Sequence, residues 1–374
     1  MVFGMTAMMR TNRNKVVLVS ALTAAALGVA GLAALAIPAG AGTQPSLPDV
    51  SAEDLVSSVL SAQPPALAGT IHVDNALGLP AVPGLPHQVL NGSSQVRVWF
   101  DGDGRSRVSL PTDMGEQTIV DDGTTLWRWD SAGRTVTRIL HPTGKEPDAD
   151  GEAFDPATVA NELLAVIRPT STVSVDGTAT VADRPAYQLV LAPAPTERTL
   201  LREVRVAVDS QTRIPLRLEV LANGTNDPVF AIGFDQLSVG AQDPSLFRFS
   251  PPAGATVTEP DVTGDKPDRT GPLGGVEPTT VGDGWDTVIV AKLPDGVLSG
   301  NSQRGTDGSN GSGGANQPGM DPKALLERFG TPVSGAWGSG RLISTAVLSV
   351  IITDDGRVAA GAVPQQVLVE ALSR

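Results

Sequence analysis

Gln95-Val96-Arg97-Val98-Trp99-Phe100-Asp101-Gly102-Asp103-Gly104-Arg105-Ser106-Arg107-Val108-Ser109-Leu110 alternates apolar and polar residues on both sides of two Asp-Gly pairs. A period of two marks a strand that buries one face, and Asp-Gly accepts the positive φ of a tight reversal. The stretch reads as an antiparallel hairpin. Working outward, the same pattern predicts strands over 70–74, 95–100, 105–110, 117–120, 124–130 and 134–140, with Asp122-Gly123 as a further turn. A second meander follows over 171–176, 185–192, 202–209, 213–221 and 228–239.

Two helices interrupt the strands. Ser51 caps the first, over 51–61, with acids in its first turn and Leu55, Val56, Val59 and Leu60 at helical spacing. The second opens on Asp155-Pro156, carries Val159, Leu163, Val166 and Ile167 on one stripe, and stops at Pro169. About ten strands, few helices and no βα rhythm predict a mainly β fold with some α. The expected form is a large, curved antiparallel sheet with helices against one side, spanning 48–250. Prolines and glycines over 251–283 read as a linker. Beyond it, 284–374 reads as a small α+β domain with strands over 285–293, 342–353 and 357–363 and helices over 322–329 and 364–372. Its Gly/Ser/Asn-rich stretch 299–319 is expected to stay a floppy loop.

The chain has 374 residues, enough for two folded units, and 27 Lys plus Arg against 40 Asp plus Glu. A net charge of −13 repels phosphate backbones, so nucleic acid is not an expected partner. There is no cysteine, which excludes disulfides, thiol catalysis, Cys-ligated zinc and acylation of an N-terminal Cys. Arg10, Arg13 and Lys15 precede an uncharged run over 16–37 that ends Ala39-Gly40-Ala41. This is an export signal. Its length favours an uncleaved anchor over 16–41, with residues 1–15 cytoplasmic and the rest at the extracytoplasmic face of the plasma membrane. The small-residue ending also fits cleavage and secretion.

Chemistry is sparse. There is no Gly-x-Ser-x-Gly elbow, and His72, His87 and His141 have neither triad nor zinc spacing. Asp101-Gly102-Asp103-Gly104 resembles half a calcium loop, but Arg105 stands where a ligand oxygen belongs. Gly338-Ser339-Gly340 lacks the Lys-Ser/Thr of a phosphate loop. No enzymatic activity, cofactor or metal is expected. What remains is apolar surface: Val96, Val98 and Phe100; Trp127 and Trp129; Tyr187, Leu189 and Leu191; Val204 and Val206; Leu216 and Leu218; and, from the second helix, Val159 and Leu163. Each large side chain gains about 1.5–3 kcal/mol on burial, and two short helices are little cover for ten strands. This set either forms an ordinary core or lines an apolar ligand cavity.

The layout resembles the LolA-like lipoprotein-carrier superfamily. The resemblance rests on the exported start, the 51–61 helix, Trp127-Arg128-Trp129 after Asp121-Asp122-Gly123, the Asp155-Pro156 helix and Arg184-Pro185-Ala186-Tyr187-Gln188-Leu189. It is most similar to the actinobacterial lipoprotein-sorting proteins, relatives of the MucB/RseB regulators. In the second part, Gly335-Ala336-Trp337-Gly338-Ser339-Gly340 and Ile352-Thr353-Asp354-Asp355-Gly356-Arg357 carry it more loosely. The resemblance implies an unclosed β-barrel with lid helices over an apolar cavity that binds a lipid or an acylated protein. The regulators imply an alternative, a module that binds a membrane anti-sigma factor or other envelope protein.

Overall fold

The computed structural model describes residues 45–78, 92–112, 114–141, 156–259, 278–293 and 322–374. The export segment, the 299–319 loop, Asp155 and His87 lie outside them. Among the described residues, no helix is long and apolar enough to cross a membrane.

Helix α1 (Ala52–Ser61) begins where Ser51 Oγ accepts the Asp54 N–H at 3.0 Å, as its sequence predicts. The first meander follows as β1 (Leu67–Asn75), β2 (Gly92–Phe100), β3 (Ser106–Thr112), β4 (Gly115–Asp121), β5 (Thr125–Asp130) and β6 (Thr135–Leu140). Helix α2 (Pro156–Ile167) leads into β7 (Ser171–Val181), β8 (Arg184–Pro193), β9 (Leu201–Asp209), β10 (Pro215–Ala222) and β11 (Phe230–Val239). A short 3-10 turn, Pro244–Phe247, and β12 (Thr256–Thr258) close this unit. The twelve strands form one sheet in the order β12-β6-β5-β4-β3-β2-β1-β11-β10-β9-β8-β7, curved and not closed into a barrel. All pairings are antiparallel except that of β12 with β6. The stretch read from its prolines as a linker thus contributes an edge strand. Three residues are too few to show a period.

The second sheet runs β13-β14-β18-β17-β16-β15. It is built from β13 (Thr279–Val281), β14 (Val288–Lys292), β15 (Thr331–Gly335), β16 (Gly338–Ser344), β17 (Ser349–Thr353) and β18 (Arg357–Gly361), with α3 (Pro322–Phe329) beside β16 and α4 (Gln365–Leu372) across β14, β17 and β18. Val288, Ile351, Ala359, Val363 and Leu368 are its fully buried centre.

The Asp-Gly turns act as geometry. Asp101 Oδ1 accepts the Asp103 and Arg105 amides, each at 2.9 Å, and Arg105 pairs with the same carboxylate. The Asp101 carboxylate, one of the would-be calcium ligands, is spent on the hairpin. Asp122 does the same two hairpins later and also takes the Trp127 indole N–H at 3.0 Å. Burial alone would raise the Asp122 carboxyl, yet bonds from Thr124, Trp127 and Thr125 outweigh it and hold the pKa at about 2.

Asp209 is the turn acid that matters most for stability, because its side chain is fully buried. Burial pushes its pKa up, but Arg184 (2.5 and 3.0 Å) and the Thr212 and Gln211 amides (2.7 and 2.9 Å) bring it down to about 2. A carboxylate depressed in the folded state adds stability that is complete above its unfolded pKa and lost as pH falls through the folded one. Asp209→Asn is therefore expected to cost about 2 kcal/mol at pH 7. In urea melts the deficit should shrink between pH 4 and pH 2; a deficit constant across that window would refute the ion-pair account.

Candidate functional site

Register assigns every strand residue to one of two faces. On β2, Val96, Val98 and Phe100 pair with Ile71, Gly69 and Leu67 of β1, which pair in turn with Phe234, Leu237 and Val239 of β11. Leu218 and Val220 continue this front face on β10, Val206 and Val204 on β9, and Tyr187, Leu189 and Leu191 on β8. Leu216 sits at a bulge against β9 and is buried in one cluster with Leu67, Val73, Val96 and Val98. The strand residues picked out by sequence thus share one face, with two exceptions. Val98 pairs with Val108, and Val108 with Ile119, whereas Trp127 and Trp129 pair with Val120 and Thr118. Both tryptophans therefore lie on the back.

The back of β4–β6 is a core of its own. Val120 and Val136 are fully buried there. The segment over 244–258 covers them: Phe249 packs on Trp127 with ring centroids 5.6 Å apart, and Phe247 is buried. Arg134 Nη2 donates to the Ala253 carbonyl at 2.7 Å, Arg107 Nη1 to that of Leu246 at 3.3 Å, and Arg138 lies 5.5 Å above the Trp127 ring. Alternation told that one side of each strand is buried, but not that the buried side switches across the sheet.

Two covers sit on the front. Helix α1 inserts Leu55, fully buried, against Tyr187 and Val208, with Val59, Leu189, Val206 and Val175 around them. Helix α2 packs on α1 and β7; Ala160 and Leu164 are its buried residues, while Val159 and Leu163 are half-buried. The second cover is the C-terminal unit. Trp285, Ala346, Val347 and Ala362 pack into a cluster with Leu201, Val220, Phe230, Val204 and Leu218. The loop before β9 fastens them. Trp285 donates its amide to Glu197 Oε2 and its indole N–H to Ser171 Oγ, both at 2.7 Å, and the Ala362 carbonyl accepts from Thr199 Oγ1 at 2.6 Å and the Leu200 amide at 2.8 Å. Sequence reasoning missed this second cover, because no local pattern says which unit a half-apolar tryptophan will meet.

Between the covers and β4 runs a strip of the front where Ile71, Val108, Leu110 and Leu237 are only partly buried. At its margin Phe100 (37%), Ile119 (37%) and Val239 (39%) are exposed. Val239, Leu67 and Phe100 are register neighbours, with Leu67 buried between the two exposed side chains. Gly69 keeps the strip smooth: a Cβ there would lie 2.7 Å from the Phe234 ring, which leans across β1 in the space a side chain would fill. Two hollows of about 470 and 330 Å³ are lined chiefly by residues of the back, and none of the sequence-selected residues lines them. No metal-binding group of His, Asp and Glu occurs among the described residues.

No protein-family model matches the chain, and no curated protein matches it. Among solved structures, a chain of the Pseudomonas aeruginosa MucA/MucB complex is similar at 18% identity and TM-score 0.41, over 86% of this chain and 96% of that one. A LolA superfamily protein from Nitrosomonas europaea is similar at 11% identity and TM-score 0.21, over 54% and 99%. An outer membrane lipoprotein-sorting protein domain from Vibrio parahaemolyticus matches at 11% identity and TM-score 0.20, over 49% and 89%. At these identities the likeness is one of fold alone.

Leu55 is the test of the first cover. Leu55→Ala is expected to cost about 2–5 kcal/mol and to raise binding of an apolar dye, since it strips the helix from Tyr187 and Leu189. A loss below about 0.5 kcal/mol would mean that α1 rests on the sheet without sealing it.

Proposed function

We propose that the chain is a non-enzymatic, extracytoplasmic binding protein whose apolar front strip receives an acyl chain of a lipid or of a lipid-modified protein. The observation that carries this reading is the exposed margin Phe100, Ile119 and Val239 leading into half-buried Ile71, Val108, Leu110 and Leu237. Apolar surface that neither cover reaches is stabilised when a methylene chain takes the place of water, at about 0.8 kcal/mol per methylene, before ordering costs. The export signal supports the location, and the absence of an acylatable cysteine leaves a bound, not a covalent, lipid. The sequence-selected residues that would take part are Val96, Val98 and Phe100, with Leu216, buried in one cluster with Val96 and Val98, as the wall beside them, whereas Leu189 and Val206 lie under α1. Val204 and Leu218 meet the C-terminal unit instead, and Trp127 and Trp129 face away.

A second reading is a regulatory module that docks an envelope protein through residues 284–374. It is favoured by exposed Ile289 (43%) and Phe329 (36%) on that unit. Deleting the unit would abolish partner capture under this reading.

The lipid reading has its own reporter. Trp285 closes the end of the front, so brominated fatty acyl chains are expected to quench its emission, and Trp285→Phe to remove that quenching while Trp127→Phe leaves it. Quenching that follows Trp127 would place the ligand on the back. No quenching, together with a protein free of lipid in native mass spectrometry, would overturn the proposal.

A further inference from the structure

The back of β7–β10, with Asp74 of β1, holds a cleft of about 470 Å³, within the range of small-molecule sites. Its floor is a checkerboard set by register. Arg217 pairs with Ala207 on one side and Gly233 on the other; Glu219 pairs with Arg205 and Ala231. Small residues flank Arg217 on both sides, Glu219 stands directly across from Arg205, and the turn 226–228 and β7 residues 179–181 form the rim.

Gly233 is what lets Arg217 lie flat. A Cβ there would meet Arg217 Cγ at 2.9 Å and Nε at 3.0 Å. The guanidinium is held low against the sheet, only 14% exposed, and its Nε is sheltered from solvent with no hydrogen-bond partner. Its Nη1 stands 3.9 Å from Glu219 Oε1, beyond hydrogen-bond reach, and Glu219 is itself 18% exposed. Two opposite charges are sheltered side by side without closing on each other. A sheltered guanidinium donor left unmade costs free energy that a ligand anion would recover, and the carboxylate beside it offers the same to an ammonium.

We propose that this cleft binds a small zwitterion carrying a primary ammonium and a carboxylate or phosphate a few bonds apart. The anion bonds Arg217, with Arg205 at its side, and the ammonium bonds Glu219. The site is on the opposite face of the sheet from the apolar strip and does not depend on it. That chemistry is found in a free amino acid and in an ethanolamine phosphate headgroup, and the two sources are separable by experiment.

Calorimetry and ligand-observed NMR on the full chain would use alanine, phosphoethanolamine, phosphocholine and inorganic phosphate as probes. Binding of alanine or phosphoethanolamine, whichever is tighter naming the source, is the expected result. Arg217→Gln and Glu219→Gln should each weaken it about tenfold or more. Circular dichroism checks the fold, and Arg205→Gln, at a more exposed position, serves if Arg217→Gln does not fold. Equal binding of phosphocholine or inorganic phosphate would overturn the zwitterion assignment. So would unchanged affinity in the folded variants, or no binding of any probe at millimolar concentration.

Discussion

Everything in this molecule follows from a twelve-strand ladder that is left open, with β12 at one edge and β7 at the other. A sheet has two faces, and an open one lacks the closure by which a barrel shelters its inner wall. Each apolar stretch must find its own cover. Leu55 on α1 seals the front at Tyr187 and Val208, the Trp285 region of the C-terminal unit seals it at Phe230 and Val220, and the 244–258 segment seals the back at Val120 and Val136. The covers come from three different parts of the chain and reach different strands. On the front from β11 to β4, Leu67, Val73, Val96 and Val98 are buried, Ile71, Val108, Leu110 and Leu237 are partly buried, and Phe100, Ile119 and Val239 meet solvent.

On the proposed reading, this division keeps binding and folding out of competition. The residues that hold the covers in place, Leu55, Trp285, Phe247 and the Asp209–Arg184 pair, are separate from those at the strip's margin, Phe100, Ile119 and Val239. Burial of Ile71 and Val108 is partial in the chain by itself, so a ligand adds stabilisation without displacing a packed element. The back cleft obeys the same logic with charges. Arg217 lies against Gly233 with its Nε unpartnered, and its Nη1 stands 3.9 Å from Glu219.

Most of the strands were legible because period-two alternation and Asp-Gly turns are local signals. The helices were legible for the same reason: Ser51 caps α1, and Pro156 opens α2. Register was not. Val98 and Trp127 look alike as alternating apolar positions, yet three ladders lie between them, and only the pairing puts them on opposite faces. The run 342–353 reads as one strand but is the β16–β17 hairpin. Its turn has no Gly or Pro, and Thr345 Oγ1 makes it by accepting the Leu348 amide at 3.0 Å. The C-terminal cover and the back cleft were invisible because each depends on residues far apart in sequence.

The central claim is that the uncovered front from β11 to β4 is a binding surface for acyl chains. Its most direct test is photo-crosslinking of the purified exported chain with a diazirine-bearing fatty acid, mapped by peptide mass spectrometry. The account predicts labels concentrated on Phe100, Ile119, Val239 and the strand segments around them. Labels on the β4–β6 back around Trp127, or an even scatter over the surface, would contradict it.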